Sequence, residues 1–285
     1  MKKFLVIAAV LLAVIFLLTE RTAKSEKVEK IELNLQQNEV AVTFLELSNG
    51  EATLIQNAGG HTVLINSGGI KTKKELKHQL DMYGVKKIDL LIITNTDELY
   101  TGNADWLISE EVAGRLAGPP SYINSLQTRF NYGENRFDAW EEGDLKELFS
   151  GMVVKVLAAG GENDNKEGLI LSMRYGKNHF LYMGIDGEEV EDRLMKAGVP
   201  LKAEVLKVPD FAESGTTQPF MEEVDPQSAV IFSKKHSEPD RAIVERMYES
   251  WIDVYHTRRF GNVSFKCTMD DYEVFTIPVR NAGEK

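Results

Sequence analysis

Four apolar residues, Leu90-Leu91-Ile92-Ile93, run directly into the polar stretch Thr94-Asn95-Thr96-Asp97-Glu98-Leu99-Tyr100-Thr101-Gly102. So short and apolar a run reads as a buried strand. The polar stretch leaves that strand at its C-terminal end, where α/β sheets gather side chains into a shared crevice. The chain is therefore expected to fold around a covered sheet, with a site at the strand exit.

The flanking pattern extends this reading. Residues 40–47, 52–56 and 61–66 are short strands separated by Ser48-Asn49-Gly50 and Asn57-Ala58-Gly59-Gly60 turns. Leu76, Leu80 and Tyr83 fall on one face of a helix over 73–83, stopped by Gly84. Residues 110–150 read poorly. Gly118-Pro119-Pro120 breaks the chain, 138–148 reads as a short acidic helix, and the region is expected to be an insertion or surface loop. Strands then resume at 152–157, 169–175, 179–183, 203–208, 229–232, 254–256, 263–267 and 272–277. Helices at 188–197, 219–224 and 241–251 fall between them. Two strand-and-helix blocks in succession predict an α/β fold of α+β layers and fit two sheets packed together with helices outside.

Residues 1–25 are expected to lie outside this fold. Lys2-Lys3 precedes an unbroken apolar run, Phe4 to Leu18, which reads as a signal peptide or an N-terminal membrane anchor. Residues 26–37 read as a linker and 38–285 as the domain. Either form of the N-terminus places the domain outside the cytoplasm, secreted or anchored through residues 4–18, the only expected membrane contact. A single cysteine, Cys267, leaves no intrachain disulfide and no all-cysteine zinc site. The chain carries a formal charge of −11, and residues 1–25 hold four basic side chains against one acidic, which leaves −14 for the rest. A body so acidic does not attract phosphate backbones over long range, which argues against direct nucleic-acid binding. Phosphate-binding glycine loops, His-Glu-x-x-His and Gly-x-Ser-x-Gly are all absent.

The stretches Phe44-Leu45-Glu46-Leu47-Ser48-Asn49-Gly50-Glu51-Ala52-Thr53-Leu54-Ile55, Gly59-Gly60-His61-Thr62-Val63-Leu64-Ile65-Asn66-Ser67-Gly68-Gly69 and Leu90–Gly102 resemble metallo-β-lactamase-fold hydrolases of the kind found in ComEC-type DNA-uptake proteins. So do Phe180-Leu181-Tyr182-Met183-Gly184-Ile185 and Val208-Pro209-Asp210-Phe211. The resemblance covers roughly residues 38–280 and implies the αββα sandwich. It also implies a metal centre, and there the chain departs from its relatives. Asn95 and Tyr100 stand where the family has His, Leu99 and Ile185 where it has metal-binding Asp, and Asp210-Phe211 where it has His-His. Asn66 and Glu51 replace two further Asp residues. Of the matched ligand positions Asp97 keeps its type, and His236 falls where relatives place a late His.

Aliphatic side chains donate no lone pair and a neutral amide is a weak zinc ligand, so two ligands would not hold a catalytic ion. The first expectation is therefore a domain without catalytic residue, metal or cofactor, binding an unknown protein or small ligand in a cleft of Asn95, Asp97, Tyr100, Asp186, Asp210 and His236. The alternative is a phosphodiesterase- or nuclease-like hydrolase with zinc or manganese held by Asp97, Asp186, Asp210 and His236, with Asp97 and Asp210 catalytic. On the residues alone, Asp97-Glu98 reads as a turn cap, His236 as an exposed loop residue, and Cys267, Tyr100, Tyr182 and Trp106 as packing.

Overall fold

The computed structural model describes residues 29–130, 136–160 and 167–279; the expected export segment lies outside them. The strands are β1 (Val40–Phe44), β2 (Thr53–Asn57), β3 (Thr62–Ile65), β4 (Ile88–Ile92), β5 (Ala113–Gly118), β6 (Phe137–Ala139), β7 (Leu145–Phe149) and β8 (Met152–Gly160). They continue as β9 (Gly168–Tyr175), β10 (Asn178–Met183), β11 (Val205–Lys207), β12 (Ser228–Ile231), β13 (Asp253–His256), β14 (Asn262–Cys267) and β15 (Tyr272–Ile277). The helices are α1 (Lys73–Met82), α2 (Glu98–Thr101), α3 (Ala104–Ser109), α4 (Pro120–Arg129), α5 (Glu188–Ala197), α6 (Gln218–Val224), α7 (Arg241–Glu249) and α8 (Thr257–Phe260).

The strands form two sheets, β15-β14-β1-β2-β3-β4-β5-β6 and β13-β12-β11-β10-β9-β8-β7. Side chains alternate across each strand and sort into three apolar layers. In β10, Phe180 and Tyr182 face the other sheet while Leu181 and Met183 face the helices outside. Val42, Phe44, Ile92, Val154 and Phe265 fill the layer between the sheets. Leu76, Leu80, Leu107 and Ile123 seal the outside of the first sheet, and Leu194, Phe220 and Met247 that of the second. Burying each such side chain contributes about 1.5–3 kcal/mol, which is why a helix as short as α1, marginal on its own, holds here. The architecture is the αββα sandwich that the resemblance implies.

One expectation fails. Residues 110–150 are not an insertion, and 138–148 form no helix. They supply β5, α4 and β6, which extend the first sheet, and β7, which opens the second. Ala113-Gly114-Arg115-Leu116-Ala117-Gly118 holds few strand-favouring residues, but β4 pairs with it in parallel, so tertiary pairing overrides propensity. Pro120 starts a helix because its fixed φ suits the first turn.

Candidate functional site

The cleft opens where β3, β4, β10, β11 and β12 end, and neighbouring backbone closes it into one unit. Glu51 N–H bonds Leu99 O at 3.0 Å, Gly50 N–H bonds Ser233 O at 3.1 Å, and Ser67 N–H bonds Tyr100 O at 2.7 Å. Across the two sheets, Leu169 N–H reaches Thr94 O at 2.8 Å. Both Gly168 and Gly184 lie here, and a Cβ on either would fall 2.5 Å from Thr94 O, so the sheets meet this closely only with glycine at both positions.

The wall from the first sheet is built largely of amide, hydroxyl and backbone hydrogen bonds. Asn66 is fully buried with φ of 62°, a conformation asparagine tolerates. Its Oδ1 accepts from Thr94 N–H at 2.8 Å, and its Nδ2 donates to Thr94 Oγ1 at 2.9 Å and to Tyr182 Oη at 3.3 Å. Asn95 Nδ2 donates to Gly184 O at 2.8 Å, and its Oδ1 accepts from Asp97 N–H at 2.9 Å. Asp97 caps α2 by accepting from Leu99 N–H at 2.8 Å. Tyr100 is buried, its ring 6.0 Å from that of Phe211. Burial, then the charges of Glu51 and Asp210, holds its phenol well above the usual value, so it stays protonated.

The wall from the second sheet keeps charge. Ser214 Oγ lies 2.7 Å from Asp186 Oδ2 and 3.2 Å from Asp210 Oδ2, so one hydroxyl bridges two carboxylates. Burial, then repulsion from Asp186, raises the Asp210 carboxyl above its ordinary range. The backbone here is strained: Asp210, Phe211 and Ala212 all have positive φ, at 43°, 55° and 61°. Each such residue costs roughly 1–2 kcal/mol, so packing must hold the turn. Phe211 and Ala212 are buried, and the buried Glu191 carboxylate ties down the following loop. It accepts from the N–H of Thr216, from Thr217 N–H at 2.9 Å and from Thr217 Oγ1 at 2.8 Å.

Beneath both walls lies an ion pair that the residues alone did not reveal. Lys207 Nζ is 2.5 Å from Glu51 Oε2, with both side chains essentially inaccessible. The ammonium also donates to Met183 O at 2.8 Å and sits 5.1 Å from the ring of Tyr182. Burial pushes Glu51 up to about 7 against the pull of Lys207, and burial lowers Lys207. A lone lysine in the apolar stretch Val205-Leu206-Lys207-Val208 was the available signal, since a buried cation needs an anion.

The candidate residues therefore divide. Asn95, Asp97 and Tyr100 share one wall, and Asp186 and Asp210 share the other. His236 is exposed in the loop after β12. The set Asp97, Asp186, Asp210 and His236 does not assemble into a metal site: among the described residues, no three His, Cys, Asp or Glu side chains gather to hold an ion. Ile185 and Phe211 are buried among apolar neighbours at family ligand positions, and the Asn95 amide is spent on Gly184 and Asp97. The side chains present do not fit a hydroxide-generating zinc or manganese ion.

No family model matches the chain. It is 24% identical over 195 residues to ComE operon protein 3 of Bacillus subtilis, a match covering 64% of this chain and 25% of that protein. It is 22% identical over 235 residues to competence protein ComA of Neisseria gonorrhoeae, covering 80% of this chain and 32% of that protein. The chain thus spans a quarter to a third of these relatives. Among solved structures, the metallo-β-lactamase fold protein YhfI from Bacillus subtilis superposes with a TM-score of 0.57 at 11% identity, covering 80% of this chain and all of that one. A diphosphatase of the PhnP family gives 0.54 at 16% identity, covering 81% and 98%. Zinc-bound PqqB from Methylobacterium extorquens gives 0.53 at 11%, covering 76% and 97%.

Proposed function

We propose that this chain, a metallo-β-lactamase-fold protein resembling part of the ComEC-type competence proteins, is a non-catalytic binding module that works outside the cytoplasm. The observation that carries the reading is the chemistry of the refilled ligand positions. Phenol, sec-butyl and benzyl side chains at 100, 185 and 211 are buried, and the amide at 95 is committed to Gly184 O. Hydrolysis in this fold needs a metal-bound water whose pKa the ion has lowered, and these groups do not supply its ligands. The cleft keeps its shape through neutral hydrogen bonds and one internal ion pair, which suits holding a protein segment or small molecule. The acidic body argues against nucleic acid as the ligand. The basic and apolar start of the chain supports export, with membrane contact limited to residues 4–18.

A phosphodiester assay with zinc or manganese added tests the reading. The chain is expected to give the same rate as buffer with metal alone. The paired Asp186 and Asp210 favour one competing reading, a hydrolase with a rebuilt site. Metal-dependent turnover lost on Asp210→Asn would establish that reading and defeat ours.

A further inference from the structure

We propose that the chain forms a twofold dimer through the open edge of β13, with Trp251 of each copy seated in a groove of the other. This inference is independent of what the cleft binds.

Trp251 is 93% exposed and Tyr248 55% exposed, large apolar side chains left in water. Trp251 also has φ of 60°, pinned by its N–H on Tyr248 O at 3.1 Å, while Ile252 N–H bonds Met247 O at 3.0 Å. The turn thus spends conformational energy to present an indole that touches little of its own chain. Beside it lies a groove of about 300 Å³ between α7, β13 and α8, lined by Val244, Tyr248, Val254, His256, Arg259 and Phe260 among others. Its size is at the low end for small-ligand pockets, suited to one large side chain. Arg259 stacks 5.5 Å from the Phe260 ring and has no ion-pair partner among the described residues.

The register explains why the occupant should be a second copy. β13 ends the seven-stranded sheet, and no described strand covers its outer side. Asp253 N–H bonds Gln227 O at 2.9 Å, toward β12. Backbone groups alternate sides along a strand, so those of Val254 and His256 point outward from the sheet. An antiparallel self-pairing must match outward residues with outward residues. Pairing Val254 with the partner's His256, about a twofold at Tyr255, meets that condition and opposes no like charges. Antiparallel pairing also brings the turn that carries Trp251, just before β13, to the end of the pair where the partner's α8 follows its own β13. The indole of each copy then comes to the side of the groove that the partner's Arg259 and the partner's Phe260 line, an aromatic face near a guanidinium. Val254 and His256 line the groove, so the two grooves adjoin across the new strand pair. Knob and groove on one surface make it self-complementary, the requirement of a closed twofold interface.

Light scattering on the full chain, with detergent mass subtracted, tests the proposal. Wild type is expected at twice the single-chain mass, more so as salt screens two bodies of like charge. Trp251→Glu is expected to give single chains with unchanged circular dichroism, because an exposed side chain carries little of the fold. Arg259→Glu should weaken association at least tenfold. Trp251 fluorescence should shift to the blue as concentration rises, with Trp106→Phe/Trp140→Phe removing the other two indoles. Single chains at every concentration, or a dimer that Trp251→Glu leaves intact, would overturn the proposal. So would a dimer in which the Trp251 emission does not move, which would put the contact elsewhere.

Discussion

The two walls of the cleft differ in kind. On the first-sheet side, each polar group has a neutral partner: Asn66 with Thr94 and Tyr182, Asn95 with Gly184, Asp97 with the start of α2. On the second-sheet side, Asp186 and Asp210 face each other across Ser214, with Asp210 on a left-handed backbone. Two carboxylates that face each other without a cation between them repel. On the second wall that repulsion is moderated by a hydroxyl and by the charge of Lys234. The internal ion pair Glu51–Lys207 lies under both.

The largest effect should come from breaking that shared floor. Glu51→Gln leaves Lys207 buried without its anion and is expected to cost about 3–5 kcal/mol in urea unfolding. Adding Lys207→Met should recover most of the loss, because replacing both charges by a neutral pair removes the desolvation penalty. A double variant no more stable than Glu51→Gln would show that the pair does not act as a unit.

Changing charge on each wall should give opposite signs. Asn66→Asp buries a carboxylate where an amide now donates twice, with an expected loss on the order of 3 kcal/mol. Asp210→Asn relieves repulsion on the other wall and should be neutral or stabilising by up to about 1 kcal/mol. Equal losses from both would erase the distinction between the walls.

A smaller effect is pH-dependent. Glu46, buried on the β1–β2 connection, is pushed up to about 7, by burial first and then by Glu75, and its Oε2 has no hydrogen-bond partner. A carboxyl raised above its unfolded value of 4.5 contributes stability that is complete below that value and is lost as pH rises through about 7. Glu46→Gln should therefore match wild type near pH 4.5 and exceed it above pH 7, by about 3 kcal/mol. A melting curve that falls equally for both proteins between those limits would place the titration on another group.

Much of this was legible in the residues. Strand alternation and turn glycines located most of both sheets, and the burial of Tyr100, Tyr182 and Cys267 followed from residue type, aromatic rings and a thiol that pack more readily than they bind. The region 110–150 was not legible, because β5 carries two glycines and two alanines and becomes a strand only through its partner β4. Ser214 was hidden for a different reason: a single hydroxyl in a polar loop has no periodicity, and the turn at 210–212 alone brings it between Asp186 and Asp210. The split of Asp97 from Asp186 and Asp210 was equally invisible, since local spacing does not show which wall a loop joins.

Elemental analysis most directly tests whether the cleft holds an ion. The full chain, purified without chelator, incubated with zinc and manganese and then desalted, is expected to retain no stoichiometric metal. One ion per chain, lost on Asp210→Asn, would contradict the account.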